Sequence, residues 1–346
     1  MRDNTTRFAA LHRSPAKWPA ALLALAVLTT GTASTAQAAE ARDRTTLSAT
    51  SAQGSRHVGD TSAQLTRHGG DTHDGAATRD VADALRQLEA SHDVRIGAYA
   101  LDTVTGRAVS YRGGESFPSL STFKAMACAA VLDRARRTEP GLLDKVVQWK
   151  ASDEVANSPV TQGQGAKGMT VAELCRAAIT RSDNTAGNMV LHQIGGPQGM
   201  TRYYRSLGDP VSRLDRWEPE LNDWRPGERR DTTAPAAMGR DLAKTSLGCA
   251  LAPADRDTLN TWLRGTVTGG ERIRAGLPKD WTVGDKTGTT DAYGSAHDIA
   301  VAWPKSGHPV IIAIYTNHAA AEAPADNAVI ASTASALVRG LGVPTS

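Results

Sequence analysis

Neither acid nor base dominates this chain. Its formal net charge is only +3, with the two signs interspersed. That argues against a dedicated nucleic-acid surface, which needs a basic patch or stripe, and leaves small anionic substrates open. Long apolar runs are missing as well: the run near the amino terminus, "AALLALAVL", is too short to span a bilayer. No repeat of about 20 to 50 residues appears, so a solenoid or propeller array is not expected. No H-x-H-x-D or similar cluster of ligands occurs, so no metal and no other cofactor is expected. Cysteine is scarce: Cys128, Cys175 and Cys249 are an odd set that allows at most one bridge.

What is present begins with targeting. Arg2, Arg7, Arg13 and Lys17 precede the short apolar run, and Ala36 and Ala38 form an A-x-A site after it. This is the pattern of a cleaved export signal over residues 1–38. The mature chain is expected to be secreted, soluble, without stable membrane association and monomeric. Residues 39–79 are rich in Ser, Thr, Gly, Asp and His and hold few large apolar residues. Such a segment buries too little surface to offset its ordering entropy, so it reads as a disordered leader, with His57, His68 and His73 as solvated linker residues.

Residues 80–346 read as one folded domain. "DVADALRQLEASH" has helical spacing, and "VRIGAYALDTVTGRAVSYRG" reads as two strands about a turn at Asp102 to Gly106. The stretch from 119 to 265 is mostly helical patterns. "WTVGDKTGTT", "DIAVAWP" and "PVIIAIYTN" then read as strands, with a hairpin turn at "KSGH". A last helix is expected from Asp326 to Arg339, stopped by Gly340. Strands at both ends and helices between predict an α/β (α+β) fold, one antiparallel sheet built from both termini beside an all-helical part. The cleft between the two is the natural place for a ligand.

The chemistry centres on "SLSTFKAMACAAVL", residues 119–132, an apolar run holding one ammonium. An unpaired charge in such a helix is costly, so Lys124 needs partners. Pro118 suits a helix entry, which puts Ser121 in the first turn and Lys124 beside it three residues on. A lysine held dry against a hydroxyl can take or relay its proton. A lone S-x-x-K is weak, but "RSDNTA" adds Ser182, Asp183 and Asn184 in an interhelical loop, and "DKTGTT" adds Lys286, Thr287 and Gly288 at a strand end. The ordered triple S-x-x-K, S-D-N and K-T-G is the signature of serine β-lactamases and penicillin-binding proteins.

"RLDRWEPELNDWRPGERRDTT" decides between those groups. It resembles the Ω-loop of class A β-lactamases, and the resemblance extends over about residues 80 to 344. It implies β-lactam substrates, Ser121 as nucleophile and Lys124 or Glu218 as its base. It implies an oxyanion site at the N–H groups of Ser121 and Thr289, and Ser182 as proton donor to the leaving nitrogen. Glu218 and Asn222 would hold the hydrolytic water, Lys286, Thr287 and Gly288 would meet the substrate carboxylate, and Asn184 its side-chain amide. It further implies an ion pair of Arg216 with Asp231 and a Cys128–Cys175 disulfide that leaves Cys249 free. Two positions depart from the commoner pattern. Ser295 stands where many members carry an arginine, which turns attention to Arg272, with Arg274 as competitor. Asn157 replaces an aromatic at the cleft rim. A penicillin-binding carboxypeptidase or transpeptidase is the second reading and a non-hydrolysing β-lactam sensor the third; Glu218 weighs against both.

Overall fold

Hydrophobic periodicity changes twice along the chain, and the fold changes with it. A computed structural model describes residues 71–305 and 307–343; the expected signal over 1–38 and leader residues 39–70 lie outside them. Helix α1 (Asp71–His92) leads into an antiparallel hairpin of β1 (Val94–Asp102) and β2 (Ala108–Tyr111). Six helices follow: α2 (Phe123–Arg137), α3 (Val171–Thr180), α4 (Asn184–Ile194), α5 (Gly196–Ser206), α6 (Pro235–Ser246) and α7 (Pro253–Arg264). The chain then returns to β3 (Thr282–Thr290), β4 (Ser295–Trp303) and β5 (Val310–His318) before α8 (Asn327–Leu341).

The five strands form one antiparallel sheet in the order β2-β1-β5-β4-β3. Its two chain ends meet where β1 pairs β5, with Val94 opposite His318 and Asp102 opposite Val310. Both faces are covered. Ile311, Ala313 and Tyr315 join the core of the helical layer, whereas Val310, Ile312 and Ile314 pack with α1 and α8. A strand buried on both faces need not alternate with polar residues, which is why "VIIAI" at 310–314 runs apolar without a break. Helix α2 runs through the helical core, buried from Phe123 to Leu132.

Three expectations need correction. The first helix begins at Asp71, so residues 71–79 are not part of an unstructured leader. Val81 and Leu85 pack into the core under α8, and a helix seeded there extends at low cost. The last helix does not stop at Gly340 but runs to Leu341, capped by left-handed Gly342. Gly340 serves another purpose: a Cβ there would lie 2.2 Å from Val81 Cγ2, so its bareness lets α1 and α8 close together. The Cys128–Cys175 disulfide is not formed. Both are free buried thiols, and Cys128 Sγ turns to the Cys175 carbonyl oxygen at 3.7 Å. Burial pushes the Cys128 thiol pKa well up, which withholds the thiolate that disulfide chemistry requires. Cys249 is free and exposed.

Candidate active site

Ser121 lies in a 3-10 turn, Leu120–Thr122, that leads directly into α2, one step ahead of the α-helical turn expected for it. Such tighter winding is common at helix starts. Lys124, in the first turn of α2, is wholly buried and held by acceptors on every side. Its Nζ lies 2.9 Å from Ser121 Oγ, 2.9 Å from the Ser182 carbonyl oxygen, 2.6 Å from Asn184 Oδ1 and 3.0 Å from Glu218 Oε1. These contacts answer the desolvation cost of an ammonium in an apolar helix. Space for it comes from Gly187 on α4, where a Cβ would come within 2.8 Å of Lys124 Cε.

Ser182 and Asp183 form the loop between α3 and α4, and Asn184 is the first residue of α4. Asp183 caps α4 through Ala186 N at 2.8 Å and also accepts from Val160 N, Thr161 N and Thr161 Oγ1. It therefore ties the S-D-N turn to the 158–161 loop that forms the opposite rim. Lys286 Nζ donates to Ser182 Oγ at 2.9 Å and to the Thr287 carbonyl at 2.6 Å. Burial first, and then the neighbouring Lys124, hold the Lys286 ammonium well below the usual lysine range.

Glu218 reaches the same centre from the Ω-loop. Ser121 Oγ is 3.4 Å from its Oε1, and Asn222 Nδ2 donates to its Oε2 at 2.6 Å. The peptide bond to Pro219 is cis. Asn188, one helical turn beyond Asn184 on α4, clamps the Glu218 backbone twice: its Nδ2 donates to the Glu218 carbonyl and its Oδ1 accepts from Glu218 N, each at 2.9 Å. At the neck of the loop, Arg216 Nε pairs with the buried Asp231 Oδ2 at 2.6 Å, while Asp231 Oδ1 accepts from Asp215 N and Arg216 N. Sequence reading missed Asn188 and Asp183 as holding residues. The spacing of Asn184 and Asn188, two amides on one face of a buried helix, was the available signal.

Edge strand β3 forms the other wall. A Cβ on Gly288 would sit 3.0 Å from Leu120 Cβ and 3.3 Å from Ser121 N, so glycine is what lets β3 lie against the Ser121 turn. Arg272 is buried but lines the cleft: Nε donates to Asn327 Oδ1, Nη1 to the Gly288 and His297 carbonyls, and Nη2 to Thr289 Oγ1 at 2.7 Å. Arg274 pairs instead with Asp285 and does not line the cleft. Ser295 is buried and donates to the Ala292 carbonyl. The cleft, about 530 Å³, brings together Ser121, Asn157, Ser182, Asn184, Asn222, Arg272, Thr287 and Thr289. Among the described residues no group of His, Cys, Asp and Glu could hold a metal ion, and no helix is long and apolar enough to cross a membrane.

A serine–lysine centre at the seam of a helical layer and an antiparallel sheet, with a carboxylate set against the hydroxyl, is the mark of a class of hydrolases. Comparison with known proteins agrees. The model of the "Beta-lactamase enzyme family" matches residues 80–341. The chain is 49% identical over 270 residues to Beta-lactamase AST-1 of Nocardia asteroides, covering 78% of this chain and 86% of that one. It is 46% identical over 268 residues to the carbapenem-hydrolyzing beta-lactamase KPC of Klebsiella oxytoca, covering 78% and 91%. Among solved structures, a beta-lactamase from Streptosporangium roseum matches with a TM-score of 0.75 and 60% identity over 76% of this chain and 98% of that one. An ancestral class A beta-lactamase matches with a TM-score of 0.72 and 49% identity, over 75% of this chain and 99% of that one. The chain belongs to the β-lactamase enzyme family, class A.

Proposed function

We propose that this enzyme opens the β-lactam ring by way of an acyl-enzyme on Ser121 and frees itself with water activated by Glu218, conferring resistance to β-lactam antibiotics. The observation that carries the reading is the Glu218 carboxylate, 3.4 Å from Ser121 Oγ and 3.0 Å from Lys124 Nζ, with Asn222 on its second oxygen. A transpeptidase or a β-lactam sensor keeps its acyl group and has no use for a carboxylate there.

In the first half-reaction Ser121 Oγ gives up its proton to the Lys124–Glu218 pair, both of which reach it, and attacks the lactam carbonyl. The developing oxyanion lies between the N–H groups of Ser121 and Thr289; losing one such donor typically costs about 3 kcal/mol. The C–N bond breaks as Ser182 Oγ delivers a proton to the ring nitrogen. Lys286, bonded to that hydroxyl and inclined by burial to release its proton, resupplies it. Arg272, Thr287, Gly288 and Thr289 receive the substrate carboxylate, and Asn184 the side-chain amide. In the second half-reaction a water held by Glu218 and Asn222 loses its proton to Glu218 and attacks the ester; the bond from the acyl carbon to Ser121 Oγ then breaks as that oxygen takes a proton back from the Lys124–Glu218 pair, releasing the opened acid. The leader pattern of residues 1–38 supports export, with this hydrolysis taking place outside the cytoplasm.

The deciding measurement is intact-protein mass spectrometry of Glu218→Gln mixed with benzylpenicillin. The expected result is a stoichiometric adduct on Ser121 that persists for minutes, while the parent enzyme turns over a chromogenic cephalosporin and shows none. Fast turnover by the variant would remove Glu218 from the mechanism. A long-lived adduct on the parent enzyme would favour the sensor or transpeptidase reading.

A further inference from the structure

The charge lining the cleft is one-sided. Its ionised lining residues are Arg272 and Arg181, with no acid among them. The two differ in what they have left to give. Arg272 directs Nε, Nη1 and one Nη2 proton to protein acceptors. Arg181 is exposed, and among the described residues its guanidinium has no hydrogen bond or ion pair. The adjoining groove between α3 and α7 is lined by a second arginine, Arg176, and by one acid, Glu173, whose Oε2 accepts from Thr170 N and Oγ1 at 2.8 and 3.1 Å. The two lysines of the site are both buried and engaged: Lys124 with Ser121, Asn184 and Glu218, and Lys286 with Ser182 Oγ and the Thr287 carbonyl. An exposed guanidinium at the mouth of a substrate cleft presents a planar fork of donors suited to a carboxylate or other anion.

Its place in the cleft says which part of a substrate it meets. Arg181 immediately precedes Ser182, the proposed proton donor to the ring nitrogen. With Pro159 it lines both the active-site cleft and the α3–α7 groove that continues outward from it. Asn184, which takes the acyl-side amide, lines the cleft but not the groove. A group leaving the cleft along the groove is therefore a substituent of the fused ring, not of the acyl side chain.

We infer that Arg181 forms an anion subsite for the fused-ring substituent of the substrate, tuning the enzyme towards β-lactams with a second negative charge there and against those with a positive one. The inference rests on the hydrolase reading above and deepens it. An exposed ion pair contributes little, so the effect is a discrimination of about 3-fold per charge that weakens in salt.

Cefotaxime, ceftriaxone and cefepime share one acyl side chain and carry neutral, anionic and cationic ring substituents. Their inhibition constants as competitors of chromogenic cephalosporin hydrolysis read the subsite whether or not each is itself turned over quickly. In the parent enzyme ceftriaxone is expected to bind best relative to cefotaxime, and cefepime worst. Arg181→Gln brings the three together by about 3-fold, Arg181→Lys retains the order, and Arg181→Glu reverses ceftriaxone and cefepime. About 0.5 M NaCl flattens the parent towards the Gln variant. Unchanged ratios in both the Gln and Glu variants, with parent-like melting curves, would overturn the subsite alone. No turnover of the chromogenic substrate by the parent enzyme would overturn the hydrolase reading, and the subsite with it.

Discussion

Lys124 shows how much one residue's placement depends on others distant in sequence. Its four acceptors come from the Ser121 turn, the S-D-N segment and the Ω-loop, and none suffices alone. Arg272 and Arg274 make the same point by contrast. Two residues apart, one borders the cleft and the other is paired with Asp285 of β3. Arg272→Ala is expected to raise KM for carboxylate-bearing β-lactams by about 10-fold, the scale of one charge-assisted hydrogen bond. Arg274→Ala should lower the melting temperature while leaving KM near the parent value. Steady-state kinetics on both variants check this, and a KM effect confined to Arg274→Ala would reverse the assignment. From sequence, the identities of Ser121, Lys124, Ser182, Glu218 and Lys286 were legible because each stands in a short ordered motif. The choice between the two arginines was not, since spacing on a loop says nothing about which way a side chain turns.

Elements act here as holders. The Ω-loop contributes Glu218 only because both its neck and its middle are fastened: Arg216 with Asp231 at the neck, Asn188 from α4 at the middle. Breaking a buried ion pair by removing one member typically costs about 3 to 5 kcal/mol, because the other charge is left without its counterion. Asp231→Ala is therefore expected to lower stability by about 3 kcal/mol and to slow deacylation more than acylation, seen as acyl-enzyme accumulating in stopped-flow burst kinetics. Equal slowing of both half-reactions would show that the pair supports the whole domain and not the loop in particular. Glycine also works at this scale. Gly288 lets an edge strand lie against the Ser121 turn, Gly187 makes room for Lys124, and Gly340 brings α1 to α8. Only the first lies in a motif the sequence announced. The others look like ordinary breaks in helical patterns, and Gly340 was mistaken for a stop because close helix packing leaves no mark in one sequence.

A buried acid away from the cleft contributes to the pH response of the whole molecule. Asp241 on α6 accepts no hydrogen bond from a donor on either carboxylate oxygen, and burial, followed by the charge of Asp209 and a side-chain hydrogen bond with it, raises its pKa to about 9. A carboxyl whose folded pKa lies above its unfolded value binds more protons when folded. Its contribution is thus fully present below the unfolded value near 4 and is lost as pH rises towards 9. Asp241→Asn, neutral at every pH, should melt several degrees higher than the parent at pH about 8.5 and nearly equal to it at pH about 5, by thermal unfolding across that range. A parent and variant separated by the same interval at both pH values would refute the titration.

By itself the sequence determined the order of elements, the antiparallel sheet from both termini, the motifs that carry Ser121, Lys124, Ser182 and Lys286, and the family they resemble. It could do so because hydrophobic period and short motifs are local properties, readable without knowing what packs on what. Tertiary structure decided the rest. It brought Glu218 within hydrogen-bonding range of a serine 97 positions away, turned Arg272 inward and Arg274 aside, and kept Cys128 and Cys175 as thiols where family likeness implied a bridge. These outcomes depend on side-chain direction and the close packing of distant segments, which no spacing along the chain encodes. The apolar run at 119–132 tolerates its lysine for the same reason: every partner that neutralises the cost is supplied by the fold.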